Sequence, residues 1–388
     1  MEVKNKYKLA ADLNISFVFC CPGTIMFHLD KNVPARRLNM NKLFKIQQKI
    51  VPEIVKTAQQ RYNILRGIYY NQPIGRRALA KILGLSERTI RNDLEFFEKK
   101  ALITISPAGT RITRIGEDFL MEVDEYIKEL RDISYLENRL EKILGIETVN
   151  LVNGAVPSGD LKAEIGRMAS QLLQREIRNG DILAVTGGTT LAEVASEMTY
   201  STEPKDVTVV PGRGGLSEDV EIQANTIAAE IAKKLGGSYH LLHIPDNMAE
   251  ENIYHVTKEP TIKRTLEILK QANILIHGVG TAADMAARRG MKENEIKDLL
   301  KAGAVGEAFG FYFNSEGEII YSTTSVGLNL NDLQAISKVI VVAGGENKAE
   351  AIISAVSSKY QDILITDEIT ARKIISLKGG EAENRLAN

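Results

Sequence analysis

The C-terminal two thirds of the chain repeat one pattern, in which a short apolar run is followed by a turn and a segment with helical spacing. Continuous apolar runs of this kind are typical of parallel strands that are covered on both faces. The pattern therefore predicts a doubly wound, Rossmann-like α/β domain over residues 146–388. The predicted strands are Thr148–Val152, Ile182–Val185, 207–210, 239–244, 274–276, 310–313, 339–342 and 363–365.

Residues 73–116 follow a different order, which predicts a winged helix-turn-helix. A short helix ends at Gly84 in a left-handed turn, and Ser86 is suited to be the N-cap of a second helix. The alternation of apolar and polar residues around a Pro-Ala-Gly turn then predicts a β-hairpin. Upstream, the apolar spacing over residues 41–70 suits helices, with Pro52 as a boundary.

A charged amphipathic segment over residues 117–145 predicts one long helix between these two parts. Its apolar residues recur at steps of four and three from Phe119 to Ile133, after which the rhythm slips. This spacing suits a linker helix that packs against a second subunit, although a helix lying on its own domain shows the same pattern. Because the helix joins the two domains, we expect it to couple them.

Residues 1–39 show no helical or strand period, and we interpret them as an extension upstream of a translation start at Met40. We expect this extension to be disordered or poorly placed. The organisation predicted for the rest of the chain is a DNA-binding domain over 40–116, the linker helix, and the α/β domain.

The charge of the chain is divided unevenly between these parts. A formal net charge of −1 combines +3 over residues 1–39, +10 over residues 40–116 and −14 over residues 117–388. A small basic domain attached to a large acidic one indicates a nucleic-acid partner for the small domain only.

The two cysteines and the apolar runs bear on the compartment. Cys20 and Cys21 are adjacent, so the chain carries no disulfide framework, as expected in a reducing cytoplasm. No apolar run reaches the roughly 18 residues that a membrane-spanning helix needs. We therefore expect a cytoplasmic protein without a membrane partner.

Three predicted strands end in glycine directly before a helix, in the segments "AVTGGTTLAEVA", "LIHGVGTAADMA" and "VVAGGENKAEAI". Glycine lets backbone N–H groups approach a ligand, and the helix start behind it favours an anion. The carboxyl ends of the strands share one edge of the sheet, so these loops predict one phosphate-binding site. The loops match neither the dinucleotide fingerprint nor the P-loop, which favours a phosphorylated small molecule over NAD or ATP and implies no cofactor.

A fourth segment, "VVPGRGGLSEDVEIQANTIAAEIA", presents Arg213 between glycines at a strand end, with Gln223 on the helix that follows. An arginine held in this way can grip a phosphate through two hydrogen bonds. A surface arginine in a flexible loop is the alternative for this segment alone, and the neighbouring glycine loops favour the ligand.

An enzyme, such as a sugar-phosphate isomerase or deaminase, is the rival interpretation. It needs a base near a carbon-bound proton, and the candidates are Glu307, Asp219, Asp367 and His277. His277 is more typical of a hydrogen-bonded structural residue. The sequence shows no acid/base signature, no catalytic triad and no cluster of metal ligands. With a winged helix attached, a ligand-gated DNA switch without catalytic residues is the simpler interpretation.

The predicted second helix carries the DNA-contacting side chains. Recognition helices usually contact bases with their N-terminal residues. Arginines outside that helix are better placed for DNA phosphates, which set the position of the protein without reading sequence. The predicted base-contacting group is Arg88, Thr89, Arg91 and Asn92, and the predicted phosphate-contacting group is Arg76, Arg77 and Arg111. Ser86, the predicted N-cap, is included in the DNA-binding site.

Six motifs carry a resemblance to a known family: "PIGRRALAKILGLSERTIRNDLEF", "VTGGTTLAEVA", "VPGRGGLSEDVEIQANTIA", "MAARR", "EAFGFYFN" and "VAGGENKAEAI". From Met40 onward the chain resembles the SorC/DeoR-type bacterial transcription regulators that respond to sugar phosphates. The resemblance implies an effector domain similar to the sugar-phosphate isomerase and deaminase fold, and a homo-oligomer, most simply a tetramer. It further implies a repressor of triose and lower glycolytic genes that fructose 1,6-bisphosphate releases from operator DNA.

The resemblance also implies roles for eight residues. One phosphate would be held by Gly188, Thr189 and Thr190, with Lys348 beside it or across the sugar. Arg213 and Arg288 would serve the second phosphate, and Gln223 and Glu307 would bond the sugar hydroxyls. Which cation meets which phosphate stays open, and the resemblance does not reach residues 1–39.

Overall fold

The computed structural model describes residues 16–19, 25–28, 50–130, 133–152, 161–215, 219–245, 250–358 and 360–386. The chain divides into two compact units, residues 1–56 and 57–388. In the first unit, β1 (Ser16–Phe19) and β2 (Ile25–His28) pair in antiparallel fashion. Aromatic and β-branched residues favour strands there despite the lack of a clear period. The rest of the predicted disordered extension, with both cysteines, lies outside the described residues.

The second unit begins with the winged helix-turn-helix, as predicted. Gly84 ends the first motif helix with φ +61°, in the left-handed region. The Ser86 side chain accepts a hydrogen bond from the Thr89 backbone N–H, which confirms Ser86 as an N-cap. The elements are α1 (Pro52–Asn71), α2 (Arg76–Leu83), α3 (Glu87–Lys99), β3 (Ile103–Ser106) and β4 (Gly109–Ile112).

Over residues 117–145, where one long helix is predicted, the structure describes α4 (Arg114–Leu130) and α5 (Ile133–Leu144), and residues 131–132 between them lie outside the described residues. The two helices serve different domains. In α4, Asp124 accepts a hydrogen bond from the Tyr62 hydroxyl of α1. In α5, three apolar residues join the core of the α/β domain, which explains why the spacing slips at this point; they are Ile133, Leu136 and Leu140.

Seven parallel strands form the central sheet in the order β5-β15-β14-β9-β6-β7-β8. This confirms the predicted doubly wound fold, because β6 and β9 lie side by side while their chain neighbours continue in opposite directions. The strands are β5 (Thr148–Val152), β6 (Ile182–Val185), β7 (Thr208–Pro211), β8 (Ser238–Tyr239), β9 (Ile274–Gly278), β14 (Lys338–Val342) and β15 (Ile363–Asp367).

Helices cover both faces of this sheet. Along β14, Ile340 and Val342 enter the core beneath one layer of helices, while Val341 enters the core on the other face. No helix among the described residues is long and apolar enough to cross a membrane. The helices are α6 (Leu161–Glu176), α7 (Thr189–Glu197), α8 (Ala224–Leu235), α9 (Glu250–Val256), α10 (Pro260–Leu269), α11 (Ala282–Arg288), α12 (Glu293–Lys301), α13 (Leu330–Leu333), α14 (Ala349–Val356) and α15 (Glu368–Leu386).

The strand predicted over residues 239–244 is wrong beyond Tyr239, where β8 ends. A side chain of α8 takes the place of a neighbouring strand. The Leu242 N–H donates to Asn225 Oδ1 at 2.9 Å, and the Leu242 carbonyl accepts from Asn225 Nδ2 at 3.2 Å. Leu242 and Ile244 of this run are still buried, so the apolar pattern predicted their burial correctly and the backbone pairing incorrectly.

The strand predicted over residues 310–313 also belongs elsewhere. It is β12 (Phe311–Phe313), which lies in a second, antiparallel sheet with β10 (Gly280–Thr281), β11 (Gly306–Ala308) and β13 (Ile319–Ser322). Only Phe309 and Gly310 separate β11 from β12, and both have positive φ, +56° and +83°. Two such residues make a hairpin turn, whereas parallel strands need a much longer crossover.

His277 lies in the middle of the parallel sheet, on β9, and is fully buried. Its Nδ1 donates to the Gly278 carbonyl oxygen at 3.0 Å, and its ring centroid is 4.2 Å from that of Phe309. Burial lowers the pKa of His277 to about 4. The imidazole is therefore neutral in the folded protein at physiological pH.

Acidification should destabilise the protein through His277. The unfolded imidazole binds a proton near pH 6.5 and the folded one only near pH 4, so stability is complete above about pH 6.5 and falls as the pH drops. Urea unfolding at pH 7 and pH 5 should show a loss of roughly 2 kcal/mol that His277→Asn removes. Equal losses in both proteins would contradict this assignment.

Candidate effector site and DNA-binding surface

One cavity of about 900 Å³ opens at the carboxyl ends of the central strands. The glycine loops after β6, β9 and β14 all line it, together with the loop after β7. The loops therefore meet at the carboxyl edge of the parallel sheet, as expected from the parallel pairing of the strands. All eight residues predicted to bind the effector line this cavity: Gly188, Thr189, Thr190, Arg213, Gln223, Arg288, Glu307 and Lys348.

The first glycine loop places the start of α7 against the cavity. Gly188 has φ +123°, a conformation that L side chains rarely adopt. A Cβ on Gly187 would lie 2.9 Å from the Ile222 carbonyl oxygen, so only glycine fits there. The Gly188 N–H donates to that same carbonyl at 2.8 Å. The first-turn N–H groups beyond it lack intrahelical acceptors and carry the positive end of the helix dipole.

A group of cations surrounds this helix start. Lys162, at the beginning of α6, lies with its Nζ 3.4 Å from Thr189 Oγ1. Burial lowers the pKa of Lys348, and so do the nearby charges of Lys162 and Arg288, while Asp284 opposes the change. Charges that repel one another in this way are stabilised when an anion binds between them. We refer to Lys162, Arg288 and Lys348 as the lysine-arginine cluster.

A second group of charges is held by Glu307 on β11, which is 4% exposed. Its Oε1 accepts from Arg289 Nη2 at 2.7 Å and from the Gly310 backbone N–H, and lies 4.0 Å from Arg213 Nη1. Arg213 also donates to Thr323 Oγ1 at 3.2 Å. The carboxylate thus orients two buried guanidinium groups whose charge exceeds its own, which suits the binding of an anion.

The charged residues of the cavity lining that sequence reasoning missed are Lys162, Asp284 and Arg289, and Asn347 also lines the cavity. Arg289 directly follows Arg288 in the quoted "MAARR" segment, so adjacency could have found it. Lys162 precedes the first glycine loop by a whole helix and strand, and no spacing in the sequence connects it with Thr189. Only the packing of α6 beside α7 brings the two residues together.

The carboxylates and the imidazole considered as catalytic bases have structural surroundings. Asp367 is fully buried and accepts hydrogen bonds from Gly345 N–H and from both the N–H and hydroxyl of Thr370. His277 is neutral and buried, and Glu307 is held by arginines. Asp219 is exposed, at the start of a short 3₁₀ turn. The Asp367 carboxylate thus stabilises the loop after β14, and the Glu307 carboxylate orients arginines.

The predicted recognition helix, α3, has one buried and one exposed face. Ile90, Leu94 and Phe97 are buried, as expected. The opposite face carries three exposed side chains and Thr89, whose hydroxyl lies 2.8 Å from that of Ser86. The exposed side chains are Arg88, Arg91 and Asn92.

The three arginines predicted to contact DNA phosphates are exposed at two places on the winged helix. Arg76 and Arg77 begin α2, and each lies 3.5 Å from a carboxylate oxygen of Glu87. Arg111 lies on β4, in the wing. Exposed ion pairs such as those with Glu87 are weak, so DNA phosphates can replace the carboxylate at little cost.

Two family models cover most of the chain. Residues 57–127 match the CggR N-terminal DNA binding domain, and residues 128–376 match a sugar-binding domain family named Sugar-bind. The boundary between the two matches falls near the end of α4, where the structure also passes from one domain to the other.

Curated relatives and a solved structure agree with these matches. The chain is 41% identical over 338 residues to the central glycolytic genes regulator of Priestia megaterium, covering 87% of this chain and 99% of the relative. It is 38% identical over 342 residues to the protein of that name from Bacillus subtilis, with the same coverage. The crystal structure of a SorC family transcriptional regulator from Enterococcus faecalis is 36% identical, with a TM-score of 0.58, covering 62% of this chain and 99% of that chain.

These relatives are named as regulators of transcription, and this chain combines the same two domains. It is a sugar-responsive transcriptional regulator rather than an isomerase or deaminase. The chain belongs to the SorC family of sugar-binding transcriptional regulators, alongside the central glycolytic genes regulators.

Proposed function

We propose that this protein represses genes of triose and lower glycolytic metabolism, and that fructose 1,6-bisphosphate releases it from its operator. The observation that carries the proposal is the presence of two separate groups of cations in one cavity. The lysine-arginine cluster lies at the start of α7, and the arginines held by Glu307 lie on the antiparallel sheet. Two such groups suit a sugar with a phosphate at each end.

The polar residues of the cavity suit the sugar between the phosphates. The Gln223 amide can both donate to and accept from hydroxyl groups, and the Glu307 carboxylate can accept from them. The names of the curated relatives support a glycolytic ligand, since both are central glycolytic genes regulators. No cofactor has a role in this proposal, because binding alone supplies the free energy for the switch.

The release from DNA requires different affinities in two states. Fructose 1,6-bisphosphate must bind more tightly to the arrangement of domains that cannot hold the operator. We propose that the protein acts as a homo-oligomer in the cytoplasm, a dimer or tetramer, with α4 at the contact between subunits. Ile115 and Phe119 support this role, because they lie one turn apart on α4 and are 61% and 40% exposed.

Fructose 1,6-bisphosphate should weaken operator binding at micromolar to millimolar concentrations. A DNA duplex selected by the protein from a random pool provides the operator, and fluorescence anisotropy gives its affinity with and without ligand. Light scattering in the same samples reports the oligomeric state. If fructose 1,6-bisphosphate changes neither the operator affinity nor the oligomeric state, but another sugar phosphate does, the proposed effector is wrong. Such a result would still support control of DNA binding by a sugar phosphate.

Arg213→Ala should lower the affinity for fructose 1,6-bisphosphate by roughly 100-fold, because a phosphate loses a buried charged partner. The affinity for operator DNA without ligand should stay unchanged. Arg175→Ala, on the exposed side of α6, is the matched control and should bind the ligand normally. Isothermal titration and anisotropy measure the two affinities, and parallel loss of both would indicate misfolding.

Two substitutions should separate base reading from phosphate contact. Arg88→Ala should reduce operator affinity by about 1–3 kcal/mol and leave non-specific DNA binding almost unchanged. Arg111→Ala should weaken both kinds of binding equally and lower the slope of log affinity against log salt by about 1. Identical effects of the two substitutions on discrimination between sequences would refute this assignment of roles.

A further inference from the structure

Helix α6 faces the effector cavity on one side and the DNA-binding domain on the other. Lys162, its second residue, lines the cavity beside Thr189. Glu164, two residues later, forms an ion pair with Arg66 of α1. Residues two apart project from different sides of a helix, so one turn of α6 contacts both places.

The ion pair between Arg66 and Glu164 is largely removed from water. Their side chains are only 10% and 12% exposed. Arg66 Nη1 also donates to the Tyr62 hydroxyl at 3.3 Å, within α1. A buried charge must keep its partner, because separating the pair leaves an uncompensated charge in a poorly solvated place. A movement of α6 is therefore imposed on α1.

Arg167 extends this contact to α7. Its guanidinium carbon lies 3.4 Å from the ring centroid of Tyr70 on α1, and its nitrogens lie 2.7 Å from Glu164 and 2.7 Å from Glu197 at the end of α7. The two helices also touch through their backbones, since a Cβ on Gly166 would lie 2.7 Å from the backbone carbon of Glu193. Helices α6 and α7 thus act as one rigid unit.

The orientation of α1 sets the orientation of the recognition helix. Asp93 of α3 is 6% exposed and accepts from Arg61 Nε at 3.0 Å and from Gln60 Nε2 at 2.7 Å, both on α1. Charged hydrogen bonds to a buried carboxylate hold the two helices in one geometry. Contacts therefore run without interruption from the cavity to α3.

We propose that Lys162 binds an effector phosphate and that the ion pair of Arg66 with Glu164 transmits this event to the winged helix. A phosphate at the start of α7 attracts Lys162 and shifts the first turn of α6, which carries Glu164. The route is separate from the chain connection through α4 and α5. It rests on the effector site proposed above, and it names the contact by which that site controls DNA binding.

The ion pair is tested by Glu164→Gln, with Glu176→Gln as the matched control. Glu176 ends the same helix and pairs with Lys338 of β14, inside the α/β domain. The measured quantity is the ratio of operator affinities without and with saturating fructose 1,6-bisphosphate. Glu164→Gln should reduce this ratio about tenfold or more while still binding the ligand, and Glu176→Gln should keep the wild-type ratio. A wild-type ratio in Glu164→Gln overturns the proposal.

Two further measurements keep the result interpretable. Arg66→Lys retains the positive charge, so its ratio of operator affinities without and with ligand should stay closer to the wild-type ratio than that of Arg66→Met. If Arg66 only filled space, the two substitutions would not differ in this way. Operator affinity without ligand should also change in Glu164→Gln and not in Glu176→Gln. If fructose 1,6-bisphosphate does not change the operator affinity of the wild-type protein, the proposed effector is wrong. The operator affinity without ligand then tests the ion pair, and an unchanged affinity in Glu164→Gln rejects its proposed role.

Lys162 is tested by Lys162→Gln, with Lys233→Gln as control. Lys233 is exposed near the far end of α8, away from the cavity end of that helix. Isothermal titration of fructose 1,6-bisphosphate should show affinity lowered about tenfold in Lys162→Gln and unchanged in Lys233→Gln. Unchanged affinity in Lys162→Gln would remove this lysine from the site.

Discussion

Parallel pairing of β6, β7, β9 and β14 is the constraint on which the rest of this structure depends. It forces four chain reversals to the same edge of the sheet, where glycines keep the backbone close and helix starts face a common space. The cavity is a consequence of that edge. The antiparallel sheet then closes one side of it and supplies Glu307, which no parallel strand could provide from that position.

Charge is concentrated in this cavity before any ligand arrives. Burial and the nearby charges of Lys162 and Arg288 lower the pKa of Lys348, while the Glu307 carboxylate holds two arginines in place and offsets part of their charge. A bound anion would reduce the repulsion between the cations around Lys348, and the Glu307 carboxylate fixes the orientation of the two arginines.

The two domains are connected both along the chain and through space. The chain passes through α4 and α5, each of which belongs to the core of a different domain. Glu137 and Glu141 of α5 accept hydrogen bonds from the backbone of β5, the edge strand of the sheet, and so attach the helix to that edge. Through space, α6 reaches α1 by charged side chains. The second connection starts closer to the cavity, since the first residues of α6 line it directly.

The amino-acid sequence by itself determined the winged helix and the parallel sheet, because caps, glycine turns and apolar runs are local signals that packing here does not override. The set of eight residues that line the cavity came from the resemblance of the sequence motifs to a known family. The sequence did not reveal that Leu242 pairs with an asparagine side chain, that residues 310–313 belong to a hairpin, or that α4 and α5 contact different domains. Only the tertiary structure decided those points, and only it joined Lys162 to Thr189 and Glu164 to Arg66. A buried segment has the same apolar pattern whether a strand, a hairpin or a side chain covers it. Contacts between residues far apart in the chain produce no regular spacing in the sequence, so the sequence could not predict them.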